Sequence, residues 1–153
     1  MATFKIQYAA SATPIEATTL SDGSDVVTSV HSSIDKSVGG GKEISCSTAA
    51  TNVNYKDYTT TAAYVTLDHA NIFNTTVTNA DFLIIKIREN GDANTVVPDV
   101  FVHFAGVDDA LKLSGIGDVM MLRPNAIEGA NIKLKSSAST TLAKVDILYG
   151  LES

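Results

Sequence analysis

The chain has 153 residues, of which 44% are hydrophobic, so it is long enough for one domain with a buried core and too apolar for wholesale disorder. Only 18% of the residues are charged, and the formal net charge is -6. Binding to a phosphate backbone or an anionic membrane surface needs clustered Lys and Arg, and only Lys133 and Lys135 come near to a cluster. No stretch approaches the ~18 consecutive apolar residues of a membrane-spanning helix. We therefore expect neither nucleic acid nor a membrane as a partner.

The N-terminal part contains short stretches in which apolar and polar residues alternate, the pattern of half-buried strands. Residues 4–8 alternate clearly, and residues 15–30 contain β-permissive runs on either side of a turn signal at residues 21–24. Gly-Gly-Gly at residues 39–41 predicts a flexible break between strands. Residues 42–47 then alternate again, with Ile44 and Cys46 on one face.

The alternation is strongest from Asp81 to Tyr149. Residues 81–89 (DFLIIKIRE) are apolar on both faces at first, which predicts a central strand covered on both sides. Residues 89–92 (Glu-Asn-Gly-Asp) predict a hairpin turn, because Asn-Gly tolerates the positive φ that such turns need. Further strand patterns, separated by turn signals, lie at residues 64–67, 100–104, 111–113, 119–122, 132–134 and 145–149.

These patterns predict an all-β, antiparallel fold of β-sandwich or jelly-roll type that forms a single domain over residues 1–153. Helical patterns are restricted to residues 67–74 and 107–113, with Asp68 or Asp108 as the N-cap. Each is long enough for only one or two short helical turns, and neither could cross over between parallel strands.

A nucleophilic active site needs a nucleophile, a base and an orienting group that converge in space. The candidate groups are Cys46, His31, His69, His103, Asp68, Asp108 and Asp109. The histidines lie far apart in the sequence, and no Gly-x-Ser-x-Gly motif is present. His103 lies on the strand face opposite Val102 and Phe104, so we interpret it as an outward or cross-strand residue with a structural role. We expect no enzyme, and a site that combines Cys46 with a histidine stays open as an alternative.

Cofactor and metal sites have little support in the sequence. A single cysteine excludes Cys-rich zinc sites, and Gly-Gly-Gly-Lys at residues 39–42 lacks the Ser or Thr that completes a P-loop. Asp22 with Asp25 and Asn90 with Asp92 have the oxygen spacing of a calcium loop, although turn chemistry explains the same residues. We therefore expect no cofactor and no metal, with calcium at these two loops as the alternative.

The last third of the chain carries a recognisable arrangement of strands. Residues 117–124 (GDVMMLRP) precede residues 132–137 (IKLKSS), and residues 143–150 (AKVDILYG) form a final alternating strand. Residues 115–150 resemble the closing strands of the small jelly-roll decoration, cement and head-fibre proteins of tailed bacteriophages. The resemblance implies a structural protein of the virion, a trimer that binds the major capsid protein or other virion proteins. The less regular residues 1–60 would include an arm that orders on neighbouring subunits.

The first hypothesis is therefore a capsid decoration or cement subunit, which is synthesised in the host cytoplasm and located on the capsid surface. The second is a carbohydrate-binding or receptor-binding β-sandwich module. Tyr55 and Tyr58 lie in a polar segment, where aromatic residues are either an exposed binding surface or part of strand packing. The two hypotheses share the expectation of binding without catalysis.

Overall fold

The structure is a computed structural model that describes residues 4–12, 15–19, 23, 26–30, 38–46, 53–73, 80–91, 96, 98–104, 106–125 and 127–152. These residues form β-strands and one 3-10 turn at Gly129–Asn131, and they contain no α-helix. No helix among them is long and apolar enough to cross a membrane. The prediction of an all-β, antiparallel fold is confirmed.

The contacts within the chain divide it into two compact units. Residues Lys5–Ile44 form one, the N-terminal unit, and Met1–Phe4 together with Ser45–Ser153 form the other, the sandwich unit. The single-domain prediction stays a prediction. The predicted calcium ligands Asp22 and Asp25 lie outside the described residues.

The N-terminal unit contains two two-stranded sheets. Its strands are β1 (Phe4–Ala12), β2 (Ile15–Thr19), β3 (Val26–Val30) and β4 (Val38–Cys46). Strand β2 pairs with β3 in antiparallel register, and β1 pairs with β4. The predicted flexible break at residues 39–41 is wrong, because these glycines lie inside β4. Gly41 allows a close strand approach, since a Cβ there would lie only 2.6 Å from the carbonyl oxygen of Tyr8.

The sandwich unit contains two four-stranded antiparallel sheets. Its strands are β5 (Val53–Thr59), β6 (Val65–Thr66), β7 (Phe82–Asn90), β8 (Asp99–Phe104), β9 (Val107–Ser114), β10 (Val119–Leu122), β11 (Ile132–Ser136) and β12 (Ala143–Gly150). The strand order is β10-β7-β12-β5 in the first sheet and β6-β11-β8-β9 in the second. Among the described strands of this unit, only β8 and β9 follow each other within one sheet, and every other pair of consecutive strands lies in opposite sheets. This is the strand order of a jelly roll, so the predicted fold type is confirmed.

The hydrophobic core lies between the two sheets of the sandwich unit. Strands β7 and β12 contribute Leu83, Ile85, Ile87, Val145, Ile147 and Tyr149, and β8 and β11 contribute Val100, Val102, Ile132 and Leu134. Burial of each large aliphatic side chain favours the folded state by about 1.5–3 kcal/mol. The central-strand prediction for residues 81–89 is confirmed, since β7 lies between β10 and β12, and Phe82 on its other face is also buried.

Two local predictions are wrong. Strands β7 and β8 are not joined as the predicted hairpin, because they belong to different sheets. Gly91 instead packs against the chain before β12, where its N–H donates to the carbonyl oxygen of Leu142 at 2.7 Å. Residues 107–113 form β9 and not a helix, so Asp108 lies within a strand and caps nothing. Leu111 and Leu113 alternate along β9 opposite Val102 and Val100, a pairing that a helix could not make.

Candidate functional site

The outer face of the second sheet carries a polar cluster of Tyr64, His103, Asp108, Asp109 and Lys135, called here the histidine cluster. Strands β8 and β11 bring His103 and Lys135 to this face, because residues on either side of them in the sequence point into the core. Sequence reasoning singled out the histidine and both aspartates, but not Tyr64. The strand pattern at residues 64–67 included Tyr64, but a local pattern gives no sign that its ring would lie beside His103, which is far away in the sequence.

A β-bulge brings the two aspartates of the cluster to the same face. The register between β8 and β9 shifts between Val102 and Phe104, and Asp109 has a φ of 51°. In a regular strand the side chains of Asp108 and Asp109 would point to opposite faces. The left-handed conformation at Asp109 costs on the order of 1–3 kcal/mol and turns its carboxylate back toward Tyr64. Bulges commonly redirect side chains in this way.

The cluster is held by short polar contacts. The Nδ1 atom of His103 lies 2.6 Å from Oδ1 of Asp108, and the histidine side chain is only 10% exposed. The Tyr64 hydroxyl donates to the carboxylate of Asp109 and accepts the Asp109 backbone N–H at 2.9 Å. The Nζ atom of Lys135 lies 3.0 Å from Oδ1 of Asp109 and 4.4 Å from the centre of the Tyr64 ring. The hydrogen bond from Tyr64, followed by that from Lys135, lowers the pKa of Asp109.

Of the groups predicted for nucleophilic catalysis, His103, Asp108 and Asp109 come together in the histidine cluster, which contains neither Cys46 nor His69. Among the described residues, His103 contacts Asp108 and, ring to ring, Tyr64, and neither of these is a serine or cysteine nucleophile. Cys46 is buried, and His69 lies in the turn after β6, where its Nδ1 atom accepts the Asn71 N–H at 3.1 Å. His31 lies outside the described residues. The histidine cluster therefore has the geometry of a polar binding surface or a structural network.

Neither predicted calcium loop can be assigned a ligand set. Asn90 ends β7, while its predicted partner Asp92 lies outside the described residues, as do Asp22 and Asp25. Among the described residues, no group of three or more His, Cys, Asp or Glu side chains is placed to hold a metal ion. Calcium at these loops stays a prediction.

Tyr55 and Tyr58, for which the sequence left exposure or strand packing open, lie on opposite faces of β5. Tyr55 is 53% exposed, and its hydroxyl donates to Oδ1 of Asp146 at 2.8 Å. Tyr58 points inward and belongs to the core. Strand alternation explains the difference, because residues three apart in a strand lie on opposite faces.

An apolar groove lies on the side of the sandwich where strand β9 of one sheet and strand β10 of the other are edge strands. It has a volume of about 450 Å³ and is lined by Phe104, Val107, Ala110, Leu111, Leu122, Arg123 and Pro124. Three apolar side chains near these edges are at least half exposed: Val107 on β9, Ile116 in the turn after β9, and Val119 on β10. Sequence reasoning missed the groove, because its two walls meet only when the sheets pack together.

Family models, characterised proteins and solved structures were each compared with the chain, and none matches it. The fold is therefore defined by the strand order alone. Because a jelly roll carries many unrelated functions, the function has to be inferred from the surfaces of this molecule.

Proposed function

We propose that the protein is a structural protein of a phage particle, a capsid decoration or cement subunit that stabilises the shell through protein–protein contacts. In this proposal it associates with itself and binds the major capsid protein or other virion proteins on the outside of the capsid. The resemblance of residues 115–150 motivates the proposal, and the jelly-roll fold, which is common among viral capsid proteins, is consistent with it.

The observation that carries the proposal is the apolar side of the sandwich formed by β9 and β10. Val107 lines the apolar groove and exposes 59% of its surface, and Ile116 in the turn after β9 and Val119 at the start of β10 expose 60% and 50%. Large apolar side chains concentrated on one side of a molecule mark a surface that binds another protein. A protein that acts by packing needs such a surface and needs no catalytic residues.

Solution mass is the direct test of this proposal. Light scattering of the purified chain over a wide concentration range should show a stable species heavier than the 16.1 kDa monomer. A protein that stays monomeric at the highest concentration would contradict self-association. Co-sedimentation with phage heads then tests the capsid contact, and heads whose heat stability does not change on addition of the protein would count against a cement role.

A carbohydrate-binding or receptor-binding module is the second candidate, favoured by the aromatic side chains on the outer face of the second sheet. Tyr64 and Phe101 lie there beside Lys135 and Lys112, and rings flanked by polar groups are typical of ligand sites. It ranks second because the Lys135 ammonium already lies over the Tyr64 ring, so a sugar would have to displace it. Glycan-array binding that Tyr64→Ala abolishes would support this candidate, and an array without a hit would remove it.

A further inference from the structure

We propose that the free edge of β10 is the site at which a second copy of this chain adds, so that two β10 strands pair antiparallel about a two-fold axis. The pairing would join the first sheets of two copies into one continuous sheet and cover the apolar groove. This inference rests on the proposed function, because it names the surface through which the subunits associate.

The four edges of the two sheets differ in how they are protected against pairing. Strand β5 carries Lys56 and Asp57, β6 is only two residues long, and β9 carries Lys112 and the left-handed Asp109. Charges, short length and irregular backbone are the usual devices that stop an edge strand from pairing with another molecule. Strand β10 (Val119–Leu122) has no charge, no proline and no positive φ. It is the unprotected edge in the described part of the sandwich.

The backbone of β10 offers hydrogen-bonding groups at this edge. The carbonyl oxygen of Asp118 accepts the Ile87 N–H at 3.0 Å, so the alternation of an antiparallel ladder directs the backbone groups of Val119 and Met121 away from β7. Oδ1 of Asp118 accepts the Val119 N–H at 2.9 Å. The Val119 carbonyl and both backbone groups of Met121 are therefore the ones that an added strand would meet.

The apolar groove is the surface that the inward side chains of an added strand would contact. A strand that extends the first sheet beyond β10 would lie on the side of the sandwich where the groove residues Val107 and Ala110 of β9 are exposed. Its inward side chains therefore have to be apolar. Strand β10 itself has this pattern, since its inward residues Met120 and Leu122 lie opposite the core residues Ile85 and Leu83.

A second copy is the occupant that the charges favour. Two β10 strands bring no like charges together, whereas the same two-fold pairing at β5 or β9 would bring two copies of Asp57 or Asp109 near each other. A two-fold contact uses the same patch on both subunits and closes after two copies. It therefore predicts an even number of subunits, a dimer or, if another surface forms the trimer that the resemblance implies, a hexamer.

The test is a lysine at the edge, Val119→Lys, compared with Val96→Lys. Both valines are 50% exposed, but Val96 lies outside β10 and the groove, so the pair is matched in exposure and in the charge introduced. Light scattering of the wild type should give an even multiple of the monomer mass. Val119→Lys should halve that mass and Val96→Lys should leave it unchanged. Val119→Glu should act like Val119→Lys, because either charge repels its own copy, and circular dichroism checks that all variants are folded.

Two results would overturn the pairing while leaving the proposed function intact. One is a wild-type trimer, which contains no two-fold contact, and the other is an assembly whose mass Val119→Lys leaves unchanged. A wild type that stays monomeric would count against both the pairing and the proposed function, and the groove would then belong to a different occupant.

Discussion

The side-chain hydroxyls of Thr60 and Ser136 hydrogen-bond to each other where the two sheets of the sandwich meet. Thr60 follows β5 of the first sheet, Ser136 ends β11 of the second, and both residues are almost completely buried. The Thr60 hydroxyl also accepts the Ala143 N–H at 2.9 Å. A single buried hydroxyl thus links the ends of three strands across the core.

Thr60→Val should therefore destabilise the protein although it preserves the size of the side chain. The valine would leave the Ala143 N–H and the Ser136 hydroxyl buried without this partner, at a cost of about 1–3 kcal/mol. Urea unfolding measures the change, and Thr60→Ser, which keeps the hydroxyl, is the control. A valine variant as stable as the wild type would show that the hydroxyl contributes nothing.

Asp109 should make the protein more stable near neutral pH than in acid. Hydrogen bonds from Tyr64 and Lys135 lower the pKa of Asp109 in the folded state. The stabilisation is therefore fully present above the ordinary carboxyl pKa of about 3.9 and is lost as the pH falls through the lowered folded value. Urea midpoints measured from neutral to acidic pH should fall less steeply in Asp109→Asn, because asparagine does not titrate and also tolerates a positive φ.

The pKa values of Asp99 and Glu89 are also lowered, by hydrogen bonds from Ser114 and Lys144, so Asp109→Asn should remove only part of the acid sensitivity. An Asp109→Asn profile that overlays the wild-type profile would show that the Tyr64 and Lys135 contacts do not stabilise the charged carboxylate.

Gly91→Ala should destabilise the sandwich. A Cβ at Gly91 would lie 2.9 Å from the backbone carbon of Leu142, where the chain enters β12. The backbone would have to shift, at a cost of about 1–3 kcal/mol. Gly40→Ala is the matched control, because a Cβ at Gly40 meets nothing within 4 Å. Thermal melts of both variants check the prediction, and equal melting temperatures would contradict the close approach at Gly91.

The Cys46 thiol should react slowly in the native protein. Cys46 is only 4% exposed, so a thiol reagent reaches the sulfur atom only when the structure opens. The labelling rate measured with and without denaturant tests this expectation. Rapid labelling in the native state would revive the alternative of a cysteine nucleophile, which burial argues against.

Much of the sandwich could be predicted from the sequence, because each strand carries its own pattern. The alternation at residues 81–89 and 145–149 predicted β7 and β12, and the inward residues of both strands lie in the core. The hairpin at residues 89–92 was wrong for a physical reason. An Asn-Gly turn is a local signal, while the partner of β7 is decided by packing against β10 and β12.

For the candidate sites, too, local patterns predicted which face of a strand a residue lies on but not which distant residues it contacts. The alternation of β8 predicted that His103 lies opposite Val102, but not that a bulge would bring Asp108 to it. Because Tyr55 and Tyr58 both lie in a polar segment, the sequence leaves open whether they are exposed or packed, and the pleat sends only Tyr58 into the core.

The sequence by itself determined most of the β-strands of the sandwich and their buried faces, because alternation is a property of consecutive residues. Only the tertiary structure decided which strands are edges and what lies beside them. The four residues of β10 look like any short apolar strand, and their exposure at an unprotected edge beside an apolar groove arises from the jelly-roll connections. A free edge is defined by the absence of a neighbouring strand, and that is a relation between distant parts of the chain.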